Sequence, residues 1–252
     1  MSASPGSASD IPILYEDNHL LVVVKPPGVP SQEDESGDPD MLTLLKADLK
    51  RRYDKPGNVF LGLVHRLDRP VGGVMLFAKT SKAASRLSDA VRTRAFRKTY
   101  LAVLTAKPQT DSGSLRHYLQ KDAARNVVTA YAKPTGDAKE ARLDYRTWPG
   151  ADGAPLAAVR LHTGRPHQIR AQFAAIGCPL AGDRKYGPSG RGAPARGGHG
   201  DIALWSAAAG IAHPVTKEWM EFRSLPPRAF PWTAWTEQQL EQAASAVQHA
   251  SD

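Results

Sequence analysis

Between His65 and Gly73 the chain reads HRLDRPVGG, which places one carboxylate, Asp68, two residues after Arg66 and directly before Arg69. A proline and two glycines follow, so the backbone there should bend. An aspartate ahead of a turn commonly does no more than accept hydrogen bonds from backbone N–H groups. Held among cations, the same carboxylate stays ionised and can act as a nucleophile or a general base. Two further side chains suit such chemistry. Tyr100, at the head of YLAVL, shares a strand face with Ala102 and Leu104. Arg170 sits beside, not opposite, the helical stripe of Ile169, Phe173 and Ile176. Left to itself it could simply extend to water.

Other chemistries are excluded by what the chain lacks. HRLD shares letters with the kinase catalytic loop, but that loop runs His-Arg-Asp with an asparagine downstream, and no Gly-rich phosphate loop or metal-binding Asp-Phe-Gly accompanies it. There is no P-loop and no dinucleotide fingerprint after a strand, and the eight histidines form no metal-ligand spacing. The single cysteine, Cys178, rules out an internal disulfide and a Cys-rich zinc site.

With 252 residues, 41% of them hydrophobic, the chain can bury one sizeable core or two small lobes. Lys and Arg number 33 against 25 Asp and Glu, a net charge of +8, which favours a polyanionic partner. The N-terminal MSASPGSASD has no apolar core and does not read as a secretory signal, and no apolar run approaches spanning length. A cytoplasmic location and no membrane partner are the expectation.

Positioning these residues falls to a series of short elements. ILYE and HLLVVV read as strands, the second stopping at Lys25 because KPPGVP cannot continue a ladder. MLTLLKADLKRRY has helical spacing, GVMLFAKT is a buried strand, and Thr80-Ser81 suits the N-cap of a helix from Lys82 to Ala95 with Ala84, Leu87, Ser88 and Val91 on one face. From Lys82 to Lys98 the basic residues include Arg86, Arg92 and Arg94, with Asp89 the one acid. KTYLAVLT, VVTAYAK, ARLDYRTW and PLAAVRLHT follow as strands without crossover helices, which predicts antiparallel pairing and an α+β fold. GRPHQIRAQFAAIG then reads as a helix with Pro166 in its first turn and Gly177 as a left-handed cap. Residues 1–10 read as a disordered tail, 11–235 as one catalytic domain with a mobile basic loop over 187–200, and 236–252 as an exposed, acidic helix and tail.

HRLDRPVGG, RKTYLAV and GRPHQIRAQFAAIGCPLAGDRKYG together resemble the three signature stretches of the RluA-like pseudouridine synthases. ILYEDNHLLVVVKPPGVP and the AHPVT from Ala212 resemble further family segments, so the likeness runs from about Ile13 to Pro227. Val71-Gly72-Gly73 departs from the usual Thr-Ser-Gly, Val24 replaces a common asparagine, and LWSAAAGIAHP lacks a histidine often found near its start.

The resemblance implies a mixed, mainly antiparallel sheet in two lobes, flanked by helices and split by a basic cleft, and an enzyme that isomerises uridine within ribosomal or transfer RNA. No cofactor, metal or obligate protein partner is implied. By motif position Asp68 is the catalytic carboxylate, as nucleophile at C1′ or as base toward a glycal-like intermediate. Tyr100 lies under the base, and Arg170 pairs with Asp68. Arg66 helps replace the flipped base, Ile169 lines the uracil pocket, and His65 and Arg165 join the substrate contacts. Arg86, Arg92, Arg94, Arg191 and Arg196 are the expected RNA-backbone contacts. Because few residues precede the first strand, the S4 RNA-binding domain common in the family is expected to be absent, and Gly72 is expected to loosen the catalytic loop.

Overall fold

The computed structural model describes residues 11–150, 153–187 and 202–247. The expected N-terminal tail, nearly all of the Gly/Arg-rich loop, Arg191 and Arg196 lie outside them. The chain divides into two units, one of residues up to Phe96 with Ala208–Ser224, the other of Arg97–Ala207 with the residues from Leu225 on.

In the first unit, β1 (Ile13–Glu16) pairs with β2 (Leu20–Lys25), and β2 pairs with β4 (Gly72–Ala78), both antiparallel; the short β3 (Gly62–Leu63) also pairs with β4. β4 is apolar throughout and buried throughout, as expected of a strand covered on both faces. Helix α1 (Met41–Arg52) starts where the Asp40 carboxylate accepts the Leu42 and Thr43 N–H groups at 2.8 and 3.2 Å. Helix α2 (Ser81–Arg92) starts at Thr80, whose hydroxyl accepts the Ala83 N–H. It stops three residues before the expected Ala95, because Arg94 turns left-handed at φ 62°. Its buried face is Ala83 and Leu87, flanked by Ala84, Ala90 and Val91, while Ser88 is exposed. That face joins Leu20, Val22, Val74, Leu76, Ile211 and Phe222 in one core. The strand pair β10 (Leu204–Ala212) and β11 (Trp219–Arg223) completes this unit, although β10 begins in the other.

The second unit is an antiparallel succession of β5 (Arg97–Val103), β9 (Leu156–Leu161), β8 (Lys139–Trp148), β6 (Ser112–Asp122) and β7 (Val127–Tyr131). The fold is therefore α+β with antiparallel pairing, as strands without crossover helices require. Helix α3 (Gln168–Ala175) lies on the face of β6 and β8 that carries Leu119 and Ala141, with Phe173 meeting Tyr145 edge-on at 5.5 Å. Pro166 lies outside α3, in the turn before it. The helix closes with Gly177 at φ 76°, where Cys178 N–H reaches Phe173 O and Gly177 N–H reaches Ala174 O, a Schellman cap. Helix α4 (Glu237–Ala246) is not the exposed helix expected: Leu240, Ala243 and Ala244 are buried, and it packs against β5, β8 and β9. Its sequence shows two glutamates and three glutamines around that one small apolar stripe, which hides the buried face. Among the described residues, no helix is long and apolar enough to cross a membrane.

Candidate active site

The backbone around Asp68 is fixed from both sides within the first unit. Ser31 Oγ donates to the Leu67 carbonyl at 2.7 Å and accepts the Leu67 N–H at 3.1 Å, and the Leu67 side chain is buried. Val71 N–H then reaches back to the Asp68 carbonyl at 2.9 Å, closing a turn over Arg69-Pro70. Lys25, wholly buried at the end of β2, donates to the carbonyls of Pro26, Arg69 and Val71 at 2.8–3.0 Å. Gly28 N–H donates to the Arg69 carbonyl and the Gly28 carbonyl accepts from Arg69 Nε, both at 2.9 Å, while the Arg69 guanidinium pairs with Asp38. The KPPG turn is thus clasped to the aspartate loop by charge-assisted bonds.

Gly72, the residue expected to loosen the loop, falls at the edge of this clasped backbone. Gly72 is the first residue of β4 and is buried, and Gly73 is paired with Lys25 at φ 116°, a conformation that favours glycine. Arg66 is exposed, Leu67 buried and Asp68 half-buried, the alternation of an extended segment. His65 turns inward: its Nε2 accepts the Leu76 N–H at 3.1 Å, which places the ring proton on Nδ1, and the ring meets Phe96 edge-on at 4.8 Å.

The second unit holds Tyr100, Ile169 and Arg170. Tyr100 lies on β5 opposite Val159 and is buried, and Ile169 is buried on α3. The Arg170 guanidinium makes a two-point contact with Asp183, Nε to Oδ2 and Nη2 to Oδ1, each 2.8 Å, and its carbon lies 5.1 Å over the Tyr186 ring. Asp183 is fully buried, and its Oδ1 also accepts the Lys185 and Tyr186 N–H groups. The Tyr186 hydroxyl accepts the Val128 N–H at 2.8 Å and lies 2.7 Å from His167 Nδ1. Just before α3, the Gln168 side chain accepts from Arg165 N–H and Thr163 Oγ1 and donates to the Arg142 carbonyl, tying the helix start to β8. Arg165 itself is exposed, with Nε on the Glu140 carbonyl at 3.0 Å.

The residues expected from the sequence therefore divide between the units. His65, Arg66 and Asp68 belong to the first, and Tyr100, Arg165, Ile169 and Arg170 to the second. Of the expected backbone contacts, Arg86 donates to the Pro214 carbonyl at 2.8 Å, Arg92 pairs with Asp89 at 2.6 Å, and Arg94 is exposed. Three side chains with a place in this geometry stand within the family-like stretches but were not among the expected site residues: Lys25, Asp183 and Lys98. Lys98 lies two residues before Tyr100 on the same strand face, and that parity is the signal that marks it. Its Nζ lies 3.1 Å from where a Gly164 side chain would begin, and burial pushes its ammonium down to about 8.

Residues 19–175 match the family model described as RNA pseudouridylate synthase. The chain is 34% identical over 230 residues to a ribosomal large subunit pseudouridine synthase D of Yersinia pestis, covering 85% of this chain and 67% of that protein. It is 30% identical over 179 residues to an uncharacterized RNA pseudouridine synthase of Bacillus subtilis, covering 71% of this chain and 58% of that one. Against the first curated relatives the chain spans between 53% and 58% of their length. Among solved structures, the human RNA pseudouridylate synthase domain containing 1 superposes with a TM-score of 0.73 at 23% identity over 99% of both chains, a likeness of fold. The matched stretch contains Asp68, Tyr100 and Arg170 together, and the chain belongs to the RNA pseudouridylate synthase family.

Proposed function

We propose that this chain isomerises uridine in RNA to pseudouridine, acting in the cytoplasm on large-subunit ribosomal RNA. The observation that carries this reading is the family match over residues 19–175, a stretch that includes the proposed Asp68, Tyr100 and Arg170. Ribosomal RNA is favoured over transfer RNA because several similar proteins are named for the ribosomal large subunit. The N1–C1′ bond breaks, the uracil turns, and C5 bonds to C1′; the proton at C5 is lost and one is gained at N1, so the reaction balances without a cofactor.

Asp68 acts on the sugar, as nucleophile at C1′ or as base, and a backbone clasped by Ser31 and Lys25 limits the orientations it can take. Arg170 is the cation assigned to aim Asp68, and Asp183 fixes its guanidinium plane. Tyr100 supports the base, Ile169 lines the uracil pocket, Arg66 fills the place of the extruded nucleotide, and His65 and Arg165 act through the backbone they brace. The basic residues Arg86, Arg92, Arg94, Arg191 and Arg196 are assigned to the RNA backbone.

The direct test uses ribosomal RNA tritiated at uridine C5, since the reaction expels that hydrogen. Tritium release by purified protein, and loss of one or more mapped pseudouridines in cells lacking it, are expected. Absence of both would leave a non-catalytic RNA-binding protein on this fold.

A further inference from the structure

The second unit has a face that the proposed chemistry does not use. Along β8, Glu140, Arg142, Asp144, Arg146 and Trp148 alternate with the buried Ala141, Leu143, Tyr145 and Thr147. The buried set faces α3, so the other set faces away from it. The register continues this outward face across the neighbouring strands: on β6, Arg116 lies opposite Arg142, Ser112 opposite Arg146 and Tyr118 opposite Glu140; on β9, Arg160 lies opposite Asp144; on β7, Tyr131 lies opposite Tyr118.

Four arginines thus share the face with three carboxylates, and all three are engaged, Asp122 at the end of β6 with Arg125 at 3.8 Å. Glu140 binds Arg116 at 2.7 Å, while Asp144 binds His162 at 2.5 Å and accepts from Ser114. Arg116 and Arg142 lie directly opposite each other, a like-charge pair that the Glu140 carboxylate on Arg116 partly offsets. Aromatic rings bracket the charges: Tyr118 and Tyr131 at one end, and at the other Trp148, with the Arg146 guanidinium 5.6 Å from its ring. By contrast, the cations around Tyr53 on the first unit are drawn to Glu16, which binds Arg52, Lys79 and the Tyr53 hydroxyl.

We propose that the outward face of β8, β6 and β7, beside the part of β9 where Leu156 and Ala158 are buried, is a second RNA-binding surface, which holds single-stranded RNA beyond the target nucleotide. The span from Glu140 to Trp148 is about 26 Å at the usual strand rise, room for a handful of nucleotides. Guanidinium groups neutralise the phosphates, and the rings stack on any base, so binding there is tolerant of sequence. An acidic protein would use the arginines but gives no role to three rings placed at both ends of them. The inference rests on the function proposed above only in calling the ligand part of the substrate.

The test is binding of an oligocytidylate of about twelve nucleotides, followed by fluorescence anisotropy over a series of salt concentrations. With no uridine present, the result is independent of catalysis. Arg142→Gln with Arg146→Gln should weaken binding about tenfold and flatten the plot of log affinity against log salt by about 1.4, two phosphate contacts on a single strand. Tyr118→Ala with Tyr131→Ala should weaken binding while leaving that slope unchanged. Equal affinity and slope in the arginine variant would overturn the proposal and leave the face to an acidic partner. Should that variant fail to fold, ultraviolet crosslinking of the oligonucleotide to the unaltered protein decides: crosslinks within 112–131 or 139–148 are expected, and crosslinks confined elsewhere refute it. Oligonucleotide binding that depends on these residues, together with no tritium release from uridine RNA, would sink the catalytic reading and leave this one standing.

Discussion

Asp68 is the residue on which two readings of one motif separate. As a turn cap it could be replaced by Asn at a cost of no more than about 1 kcal/mol, since the two residues cap nearly equally, and activity would persist. As the catalytic carboxylate it loses its charge and basicity in Asp68→Asn, so single-turnover pseudouridine formation should vanish while the melting temperature and RNA affinity hold. Arg170→Lys keeps a positive charge but loses the planar two-point contact now made with Asp183, and should lose most activity without loss of fold. Product at near-parent rate from Asp68→Asn would remove both roles. Lys98 gives a separate prediction with a sign. Its folded-state pKa, about 8, lies below the 10.5 of an ordinary lysine, so the folded chain disfavours the proton that the unfolded chain keeps. The penalty is fully present below pH 8 and is relieved as pH rises from 8 towards 10.5, where the unfolded state alone stays protonated. Lys98→Met should therefore stabilise the protein at pH 7, by up to about 3 kcal/mol, and the gain should shrink across that window in denaturant titrations. A gain independent of pH would assign it to packing instead. Asp68, Tyr100 and Arg170 can be singled out as candidates from the sequence because each stands in a motif of its own. Asp183 cannot be, because its partner is thirteen residues away and GDRKYG gives no hint of which side chain turns inward.

Among the elements, the strands with unbroken apolar runs, β2 and β4, are legible to within two residues at each end, and so are the helix starts with a capping side chain. Strand β6 is not: in SGSLRHYLQKD only Leu115 and Leu119 are buried, and two leucines four apart mimic one helical turn as readily as every second strand pair. Strand β10 is equally obscured, since AAAG within LWSAAAGIA has little strand propensity, and burial rather than intrinsic preference holds it extended. The KPPG turn shows what an element can hide. It reads as a strand stop, yet its lysine ties β2 to the aspartate loop across 44 and 46 residues of sequence. Lys25→Met removes the cost of burying an ammonium but leaves three carbonyls without that donor. Unsatisfied buried acceptors cost about 1–3 kcal/mol each, so a net loss of about 2 kcal/mol is expected. The turnover of bound RNA should fall more than RNA affinity does, because the strut aims the loop and touches no phosphate. An unchanged denaturation midpoint together with unchanged turnover would show that Ser31 and the Gly28 bonds suffice.

At the scale of the molecule, the net charge of +8 was legible from composition, whereas its distribution was not, because sheet register decides which arginines share a face. The helical arginines Arg86 and Arg92 are partly occupied by Pro214 and Asp89, so a count along the sequence overstates what α2 offers an RNA. Arg191 and Arg196 belong to a stretch of fourteen residues, GPSGRGAPARGGHG, that contains no acid. If both meet phosphates, each contact releases counterions, and affinity for ribosomal RNA falls steeply with salt. Replacing both with Ala should flatten the slope of log affinity against log salt by about 1.4 to 1.8, depending on whether the phosphates lie on a single strand or a duplex. The chemical step should be untouched, because neither residue is assigned to the reacting nucleotide. Single-turnover rates at saturating RNA should therefore match those of the parent protein, while the concentration needed for saturation rises. A flattened slope with a slower chemical step would move these arginines into the active site, and an unchanged slope would take the loop out of the interface altogether.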